Sequence, residues 1–209
     1  RIERNHAYVG AGIFSTGVLL LIECYIGYNT ATFNGGGLFI VAGIAELHFC
    51  IVEHNFGSNG GGANCVGETH MYDTIVRSNS AFFEGGGVRN NNLLTLTRCT
   101  ITDNLSLDVG GGVQNSVANA RVEITDSLIS RNSATNQGGG LLSTQGFGGN
   151  LTFVTCVNTN FTYNKARQGA GVFIAGDCEM YNSIISYNNA TNVLLSGAGL
   201  YNIGRVSLF

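Results

Sequence analysis

Short segments in which apolar and polar residues alternate recur along the whole chain. The clearest are Leu94-Thr-Leu-Thr97, Val122-Glu-Ile-Thr125 and Leu151-Thr-Phe-Val154. A period of two in segments rich in β-branched residues indicates strands, because successive side chains of a strand point to opposite faces. Proline is absent and glycine stands at fixed places, so each segment predicts a short strand that ends in a tight corner. The chain is therefore predicted to be all-β.

The order of these segments repeats. A tetrapeptide with an aliphatic residue or Phe first and Asn fourth occurs eight times, and successive Asn residues are 24 to 32 residues apart. Each tetrapeptide is followed by a triplet, Gly-(Gly or Ala)-Gly, and then an apolar residue; the triplets end at Gly12, Gly37, Gly62, Gly87, Gly112, Gly140, Gly171 and Gly199. Leucine-rich repeats have a similar length, but their Leu-x-x-Leu-x-Leu frame is missing. The repeats predict a right-handed parallel β-helix of about eight coils, a single domain over residues 1–209.

The Asn of the tetrapeptide predicts an internal ladder. Stacked coils place these residues above one another, so each amide can bond the equivalent amide one coil away and the backbone of the turn. The alternative is a turn Asn that faces solvent. The predicted structural ladder is Asn5, Asn29, Asn55, Asn79, Asn104, Asn132, Asn164 and Asn188.

The glycine triplets also predict which of their three positions can accept a side chain. Their first and third positions are Gly in all eight copies, whereas the middle is Ala at Ala11, Ala170 and Ala198. We expect the flanking glycines to need a positive φ or a close backbone approach, and the middle position to tolerate a Cβ. Gly87→Ala should then destabilise the protein more than Gly86→Ala.

The cysteines of one column of the repeat are predicted to be buried free thiols. Cys24, Cys50 and Cys99 lie five residues before a ladder Asn, where other copies have Thr or Ser; a disulfide between Cys24 and Cys50 on adjacent coils is the alternative. No Cys-x-x-Cys or His-x-x-x-His spacing occurs, so we expect no metal site and no cofactor. The four histidines share no position in the repeat and are expected to be isolated on the surface.

Composition narrows the possible functions. Charged residues are only 11% of the chain and the net charge is −3, which gives no basic footprint for nucleic acid. No apolar run approaches the ~20 residues of a membrane helix, so we expect no direct membrane insertion. The chain begins at Arg1 and ends at Phe209 without an evident signal peptide or end cap. We therefore expect it to be an excerpt of a longer chain.

The two linked motifs, aliphatic/Phe-x-x-Asn and Gly-Gly-x-aliphatic, resemble the repeats of polymorphic outer membrane proteins. More broadly they resemble the pectate-lyase-like right-handed β-helix superfamily. The resemblance covers essentially the whole chain, although the family triplet often has Ala at its third position, where this chain always has Gly. It implies surface display, often with adhesion, but the superfamily also includes polysaccharide lyases and hydrolases.

These observations predict an extracellular or cell-surface protein that is structural or adhesive and has no catalytic residues. Its expected partners are surface glycans or proteins, or further copies of the same assembly. A carbohydrate-active β-helix enzyme is the first alternative; Asp103 and Asp108 on one coil and Glu123 and Asp126 on the next are its candidate acids. A self-assembling fibre or sheath subunit is the second alternative.

Two insertions on consecutive coils suggest where binding could occur. They fall near 114–120 and 143–150, and insertions in a solenoid commonly lie on one face; simple variation in loop length is the alternative. Glu53 and Arg77, and Asp103 and Arg131, are predicted to be cross-coil ion pairs on an exposed face rather than a catalytic constellation. The predicted binding ridge is Gln114, Asn115, Gln145, Phe147 and Asn150.

Overall fold

The computed structural model describes residues 1–145, 151–192 and 196–209. All regular secondary structure in these ranges is β-strand, 32 strands in all. The strands form four sheets of eight, and every strand pairs in parallel with its equivalent one coil away. Each coil thus adds one strand to each sheet. This confirms the predicted all-β parallel solenoid of eight coils.

The strands are numbered in chain order and the sheets are named A to D. Sheet A contains β1 (Ile2–Glu3), β5 (Tyr25–Gly27), β9 (Ile51–Glu53), β13 (Ile75–Arg77), β17 (Thr100–Thr102), β21 (Leu128–Ser130), β25 (Asn160–Thr162) and β29 (Ile184–Ser186). Sheet B contains β2 (His6–Ala7), β6 (Thr30–Ala31), β10 (Phe56–Asn59), β14 (Ser80–Glu84), β18 (Leu105–Ser106), β22 (Ser133–Ala134), β26 (Lys165–Ala166) and β30 (Asn189–Ala190).

The other two sheets follow the glycine triplets. Sheet C contains β3 (Ile13–Ser15), β7 (Leu38–Ile40), β11 (Ala63–Cys65), β15 (Val88–Asn90), β19 (Val113–Asn115), β23 (Leu141–Ser143), β27 (Val172–Ile174) and β31 (Leu200–Asn202). Sheet D contains β4 (Leu19–Ile22), β8 (Ile44–His48), β12 (Glu68–Tyr72), β16 (Leu93–Thr97), β20 (Arg121–Thr125), β24 (Phe153–Val157), β28 (Asp177–Tyr181) and β32 (Arg205–Leu208).

The core is a set of apolar columns that run through the solenoid. The first residue of the tetrapeptide faces inward, and in the six inner coils it is fully buried at Ile26, Val52, Val76, Ile101, Ile129 and Phe161. Sheet D contributes alternate residues, such as Leu94 and Leu96, to the same core cluster. Burying a side chain of this size stabilises a protein by about 1.5–3 kcal/mol. Successive coils are therefore held together by continuous apolar contact.

The predicted ladder is confirmed by its hydrogen bonds. Asn79 donates its Nδ2 group to Asn104 Oδ1 at 3.1 Å and to the carbonyl oxygen of Val52 at 2.9 Å. Its own Oδ1 accepts from the backbone N–H and from Nδ2 of Asn55, at 2.9 and 3.0 Å. The same amide-to-amide bond joins all eight ladder residues. Each amide thus satisfies backbone groups that the corner between sheets A and B leaves out of the sheet hydrogen bonds.

The corner before each ladder Asn has left-handed backbone geometry. The preceding residue has a positive φ in all eight coils, for example Tyr28 at 57° and Asp103 at 57°. A second series, which includes Phe49 and Arg98, precedes the Cys/Thr/Ser column between sheets D and A. Non-glycine residues adopt this region at a cost of about 1–3 kcal/mol. The hydrogen bonds of the following residue offset that cost in every coil.

The Cys/Thr/Ser column forms a second, weaker ladder. The backbone N–H of Cys99 donates to Ser127 Oγ at 3.0 Å, and that of Thr159 donates to Ser183 Oγ at 3.2 Å. All six cysteines are free, and all except the half-buried Cys24 are buried. The buried-thiol prediction for the column is confirmed at Cys50 and Cys99, Cys24 is free but only half-buried, and the structure has no Cys24–Cys50 disulfide.

The glycine triplets are tighter than the sequence indicates. The first glycine has a positive φ in seven coils, including Gly85 at 64°. A Cβ on Gly87 would lie 2.6 Å from the Gly112 oxygen, as expected for the third position. The middle position was expected to tolerate a Cβ, and this is wrong in the central coils, because a Cβ on Gly86 would lie 2.4 Å from the Leu105 oxygen. Ala170 shows that one coil can adjust, since its methyl packs against neighbouring alanines.

A ladder residue can be tested by truncation. Asn79→Ala should lower the free energy of unfolding by about 3 kcal/mol, because it leaves buried backbone and amide groups of Asn55 without a partner. Asn189→Ala, at an exposed asparagine, is the matched control and should change stability by less than about 0.5 kcal/mol. Chemical denaturation measures both. Equal stabilities for the two variants would remove the energetic role of the ladder.

The triplet can be tested by alanine substitution. Gly86→Ala and Gly87→Ala should each destabilise by about 1–3 kcal/mol, because both force a Cβ against the backbone of the next coil. Gly17→Ala is the control, since a Cβ there meets nothing within 4 Å. If thermal unfolding gave Gly86→Ala and Gly17→Ala the same melting temperature, the close backbone approach at Gly86 would be contradicted.

Candidate functional site: a groove over sheet C

Several side chains on the outer surface of sheet C are buried. The middle residue of each sheet C strand points away from the core, because its two neighbours on the strand point inward. This outer column is Phe14, Phe39, Asn64, Arg89, Gln114, Leu142, Phe173 and Tyr201. Yet Asn64, Gln114, Leu142 and Phe173 are at most 3% exposed. We call this surface the groove and its outer column the groove floor.

The glycine triplets shape one side of the groove. The first glycine of a triplet lies against the outer side chain of its own coil: a Cβ on Gly60 would lie 2.7 Å from the Asn64 Cβ, and one on Gly110 would lie 2.5 Å from the Gln114 Cβ. The corner between sheets B and C therefore folds over the floor. Glu84, at this corner, accepts from Arg89 Nε on the floor at 2.6 Å. Their charges offset each other where the two surfaces meet.

The structure corrects two residues of the predicted ridge. Gln114 and Asn115 are 1% and 0% exposed, so they cannot form a solvent-facing ridge. Asn115 faces inward and extends a second amide ladder: its Oδ1 accepts from Asn90 Nδ2 at 2.9 Å. Gln114 lies on the groove floor, where the overhanging corner buries it. Phe147 and Asn150 lie outside the described residues.

The first insertion borders a cavity in the groove. The cavity has a volume of about 430 Å³ and is lined by Glu84, Arg89, residues 116–118, Thr144 and Gln145. Gln145 thus lines the same cavity as the first insertion, and its role in binding stays a prediction. Gln114 is joined to this wall because its Nε2 donates to Ser116 Oγ at 2.7 Å. The volume lies within the range of about 300–1,000 Å³ that is usual for small-molecule sites.

Two further cavities lie elsewhere. One of about 370 Å³ lies at the corner between sheets B and C and includes Asp108, Asn136 and Arg167. Another of about 260 Å³ lies on the outer face of sheet D and includes Arg121, Asp177 and Glu179. In both, acidic and basic residues occur together, so neither has a charge of one sign.

The candidate acids of the enzyme alternative are dispersed. Asp103 precedes a ladder Asn and accepts two bonds from Arg131, at 2.8 and 3.0 Å. Asp108 lies at the corner between sheets B and C, Glu123 on the outer face of sheet D, and Asp126 at the corner between sheets D and A. The structure does not bring these four carboxylates to one site. Within the described residues, no group of three or more His, Cys, Asp or Glu side chains is placed to hold a metal ion.

Three histidines have partners that the sequence did not reveal, and one of them, His54, stacks on Tyr28 with ring centroids 4.8 Å apart. His70 Nε2 lies 2.9 Å from Glu68 Oε1, and its Nδ1 lies 2.8 Å from Thr95 Oγ1 on the next coil. The rings of His48 and Tyr72 stack with their centroids 4.8 Å apart. The expectation of isolated histidines is therefore wrong for these three. Alternation within sheet D, together with the repeat register, could have identified the partners of His48 and His70.

The predicted cross-coil ion pairs are confirmed. Arg77 Nε donates to Glu53 Oε2 at 2.5 Å, and Tyr25 Oη donates to Glu53 Oε1 at 2.9 Å. Burial opposes ionisation of Glu53, but the bonds from Arg77 and Tyr25 outweigh it and hold the pKa of Glu53 below its ordinary value. Burial and the bond to Glu53 raise the pKa of Tyr25 to about 12. The network therefore stays intact over a wide range of pH.

The chain was compared with protein-family models, with curated proteins and with solved structures, and none of them matches it. The fold assignment rests on the strand pairing described above, and the resemblance to polymorphic outer membrane proteins stays a prediction. Within the described residues, no helix is long and apolar enough to cross a membrane.

The Glu53 network predicts a specific pH dependence. Glu53→Gln should lower the free energy of unfolding at pH 7 by about 1–3 kcal/mol. Because the folded-state pKa of Glu53 is depressed, its contribution is complete above the unfolded value of about 4.3 and is lost as the pH falls through the folded value. The melting temperatures of wild type and variant should therefore converge on acidification. Glu123→Gln, in a looser and more exposed pair, should change little; a Glu53→Gln deficit that persisted at low pH would contradict the assignment.

Proposed function

We propose that the protein is a non-catalytic scaffold, secreted or displayed at a cell surface, that binds surface glycans or proteins along the groove. The supporting observation is the groove itself: outward side chains of sheet C that are buried in several coils, and a cavity of about 430 Å³ that the first insertion borders. Extended concave surfaces are the usual binding sites of solenoid proteins. Function then depends on side chains that the ladders do not use.

The distribution of charge favours binding over catalysis. Acid–base catalysis needs carboxyl groups that converge on one bond of the substrate. Here Asp103 and Asp73 pair with arginines of adjacent coils, and the four candidate acids lie apart. These residues support the stacking of coils. The enzyme alternative stays open to direct assay and is included in the experiment below.

The buried thiols suit an extracellular setting. Burial raises the pKa of Cys65 and Cys99 to about 11 and that of Cys178 to about 12. A thiol reacts through its thiolate, so these cysteines stay protonated and inaccessible at neutral pH. They can remain reduced in oxidising surroundings without a disulfide. The buried thiols are thus compatible with an extracellular setting, and the proposed location itself rests on the family resemblance.

A binding screen tests the proposal. The chain should bind members of a panel of surface polysaccharides and host-surface proteins, and it should leave the polysaccharides uncleaved. Val117→Trp, which fills the cavity entrance, should weaken binding about tenfold or more because a bulky ring occludes the site. Val157→Trp on the outer face of sheet D is the matched control and should bind like wild type. New reducing ends or unsaturated products from any polysaccharide would favour the enzyme alternative, and equal binding by both variants would exclude the groove.

A further inference from the structure

Large apolar side chains gather on the outer face of sheet B. They belong to its first five strands, β2 to β18, or to the turns that follow those strands. These side chains, which we call the sheet B patch, are Tyr8, Phe33, Phe56, Phe82, Phe83, Leu105 and Leu107. Each is between 37% and 68% exposed. A single apolar side chain on a surface is ordinary, but a contiguous group of this size marks an interaction site.

The patch is continuous along the solenoid axis. The rings of Tyr8 and Phe33 stack with their centroids 5.8 Å apart, and Phe82 and Phe83 form an edge contact at 4.8 Å. Phe56 lies between these two ring pairs, because its strand β10 pairs with β6 on one side and with β14 on the other. The patch therefore extends over five consecutive coils.

The patch carries no charge. None of its five strands contains Lys or Arg. The two carboxylates at its margin are already hydrogen-bonded, Glu84 to Arg89 at 2.6 Å and Asp108 to Asn136 at 2.7 Å. Surfaces that lie on a membrane usually combine apolar residues with Lys or Arg, which reach the lipid headgroups. The composition of the patch therefore favours a protein partner over a lipid layer.

The size of the patch fits a protein–protein contact. An aromatic side chain buries about 150–250 Å², so the exposed parts of these seven side chains amount to on the order of 600 Å². Thr30 and Ser80, which point outward between them, enlarge the face further. A standard interface takes about 800 Å² from each partner, and homodimer interfaces are more apolar than others. The patch thus approaches what one side of a stable dimer needs.

Large and small side chains alternate along the patch. From β2 to β22 the outward residues are His6, Thr30, Phe56, Ser80, Leu105 and Ser133. A two-fold rotation about an axis parallel to the strands, midway between β10 and β14, places Phe56 of one copy opposite Ser80 of the other. The same rotation places Leu105 opposite Thr30. Because two-fold contacts are isologous, each pairing occurs twice, and each large side chain meets a small one.

The neighbouring column follows the same rule. Phe83 lies one coil after Ser58, since β10 and β14 pair in register at the adjacent residues, so the rotation sets Phe83 opposite Ser58. A two-fold axis along the solenoid would instead place each coil against itself, with Phe56 against Phe56. The antiparallel arrangement also leaves the charged Lys165 and Arg167 outside the overlap, because their strand β26 lies beyond β22.

We propose that two copies of the chain dimerise by packing sheet B against sheet B, with antiparallel solenoid axes and the two-fold axis between β10 and β14. Packed sheets lie about 10 Å apart, and their facing side chains interdigitate. The contact uses a different face from the groove over sheet C. Dimerisation and ligand binding at the groove are therefore separate properties of the chain.

Substitutions at the centre of the contact test it. Phe56→Glu places two charges in the interface of each dimer, and Ser80→Trp fills the space that receives Phe56. Each should weaken dimerisation at least about a hundredfold, measured by sedimentation velocity on the 209-residue chain. Leu20→Glu and Thr97→Trp introduce the same side chains at outward positions of sheet D; these matched controls should dimerise like wild type. Circular dichroism should show the wild-type β signal in all four variants.

Spin labels measure the relative orientation of the two copies. Asn189 lies on β30, at the end of sheet B away from the patch, and is exposed. Labels on Asn189→Cys, in a Cys24→Ser background, should lie roughly 45 Å apart in the antiparallel dimer, because neighbouring strands are about 4.8 Å apart. A parallel dimer would bring them within about 20 Å. Electron–electron double resonance measures this distance.

A dimer that both interface variants dissociate and both controls preserve, with the long label distance, would support the proposal. A chain that stays monomeric up to its solubility limit, or a dimer unaffected by Phe56→Glu and Ser80→Trp, would overturn it. A short label distance would overturn the antiparallel arrangement. If a monomeric chain instead bound vesicles of phosphatidylcholine and phosphatidylglycerol, and Phe56→Glu abolished that binding, the patch would be a lipid-contacting face and the dimer would be excluded.

Discussion

The structure depends on a hydrogen bond that each coil makes with the next through a buried side-chain amide. Asn55 N–H and Nδ2 both donate to Asn79 Oδ1, and this pattern recurs from Asn5 to Asn188. Because one oxygen accepts from both the backbone and the side chain of the preceding coil, a slip of one residue would break two bonds at once in every coil. The corner between sheets A and B therefore keeps the same length throughout. Extra residues are excluded from it and appear at other corners.

The third glycine of each triplet packs against the ladder amide of the next coil. A Cβ on Gly62 would lie 3.0 Å from Asn79 Nδ2, and a Cβ on Gly37 would lie 3.0 Å from Asn55 Nδ2. The third glycine of each triplet thus leaves the space that the ladder amide of the next coil occupies. This explains why the two motifs recur together along the chain. An insertion between sheets C and D disturbs neither, and residues 116–120 are accommodated there beside the cavity.

The architecture could be predicted from the sequence because each ladder repeats one residue type at one position of the coil. The Asn ladder, the aliphatic column and the Glu53–Arg77 pair all follow from counting residues between motifs. The left-handed corners could not be predicted, since Arg4, Tyr28 and Ser78 share no side-chain chemistry. The prediction that Asn115 belongs to the binding ridge was wrong for a different reason. Asn90 and Asn115 each end a sheet C strand, so the sequence contained a signal for the amide bond between them. Only these two consecutive coils carry it.

The groove could not be predicted from the sequence. Alternation of apolar and polar residues shows which side chains of a strand point inward or outward, but it does not show whether an outward side chain is exposed or buried. Gln114 is outward by alternation and buried by the shape of the cross-section, which arises where the first glycine of each triplet turns the chain over the floor. The shape of the cross-section depends on all four sheets together and cannot be inferred from the sequence pattern of any one of them. Within the described residues, the ladder amides are hydrogen-bonded, and the buried side-chain polar atoms without a partner belong to Asn64, Asn91 and Gln114. Leu142 occupies the outward position one coil after Gln114 and is equally buried, so this position accepts an amide or an apolar side chain, and its burial follows from the shape of the cross-section rather than from the residue type.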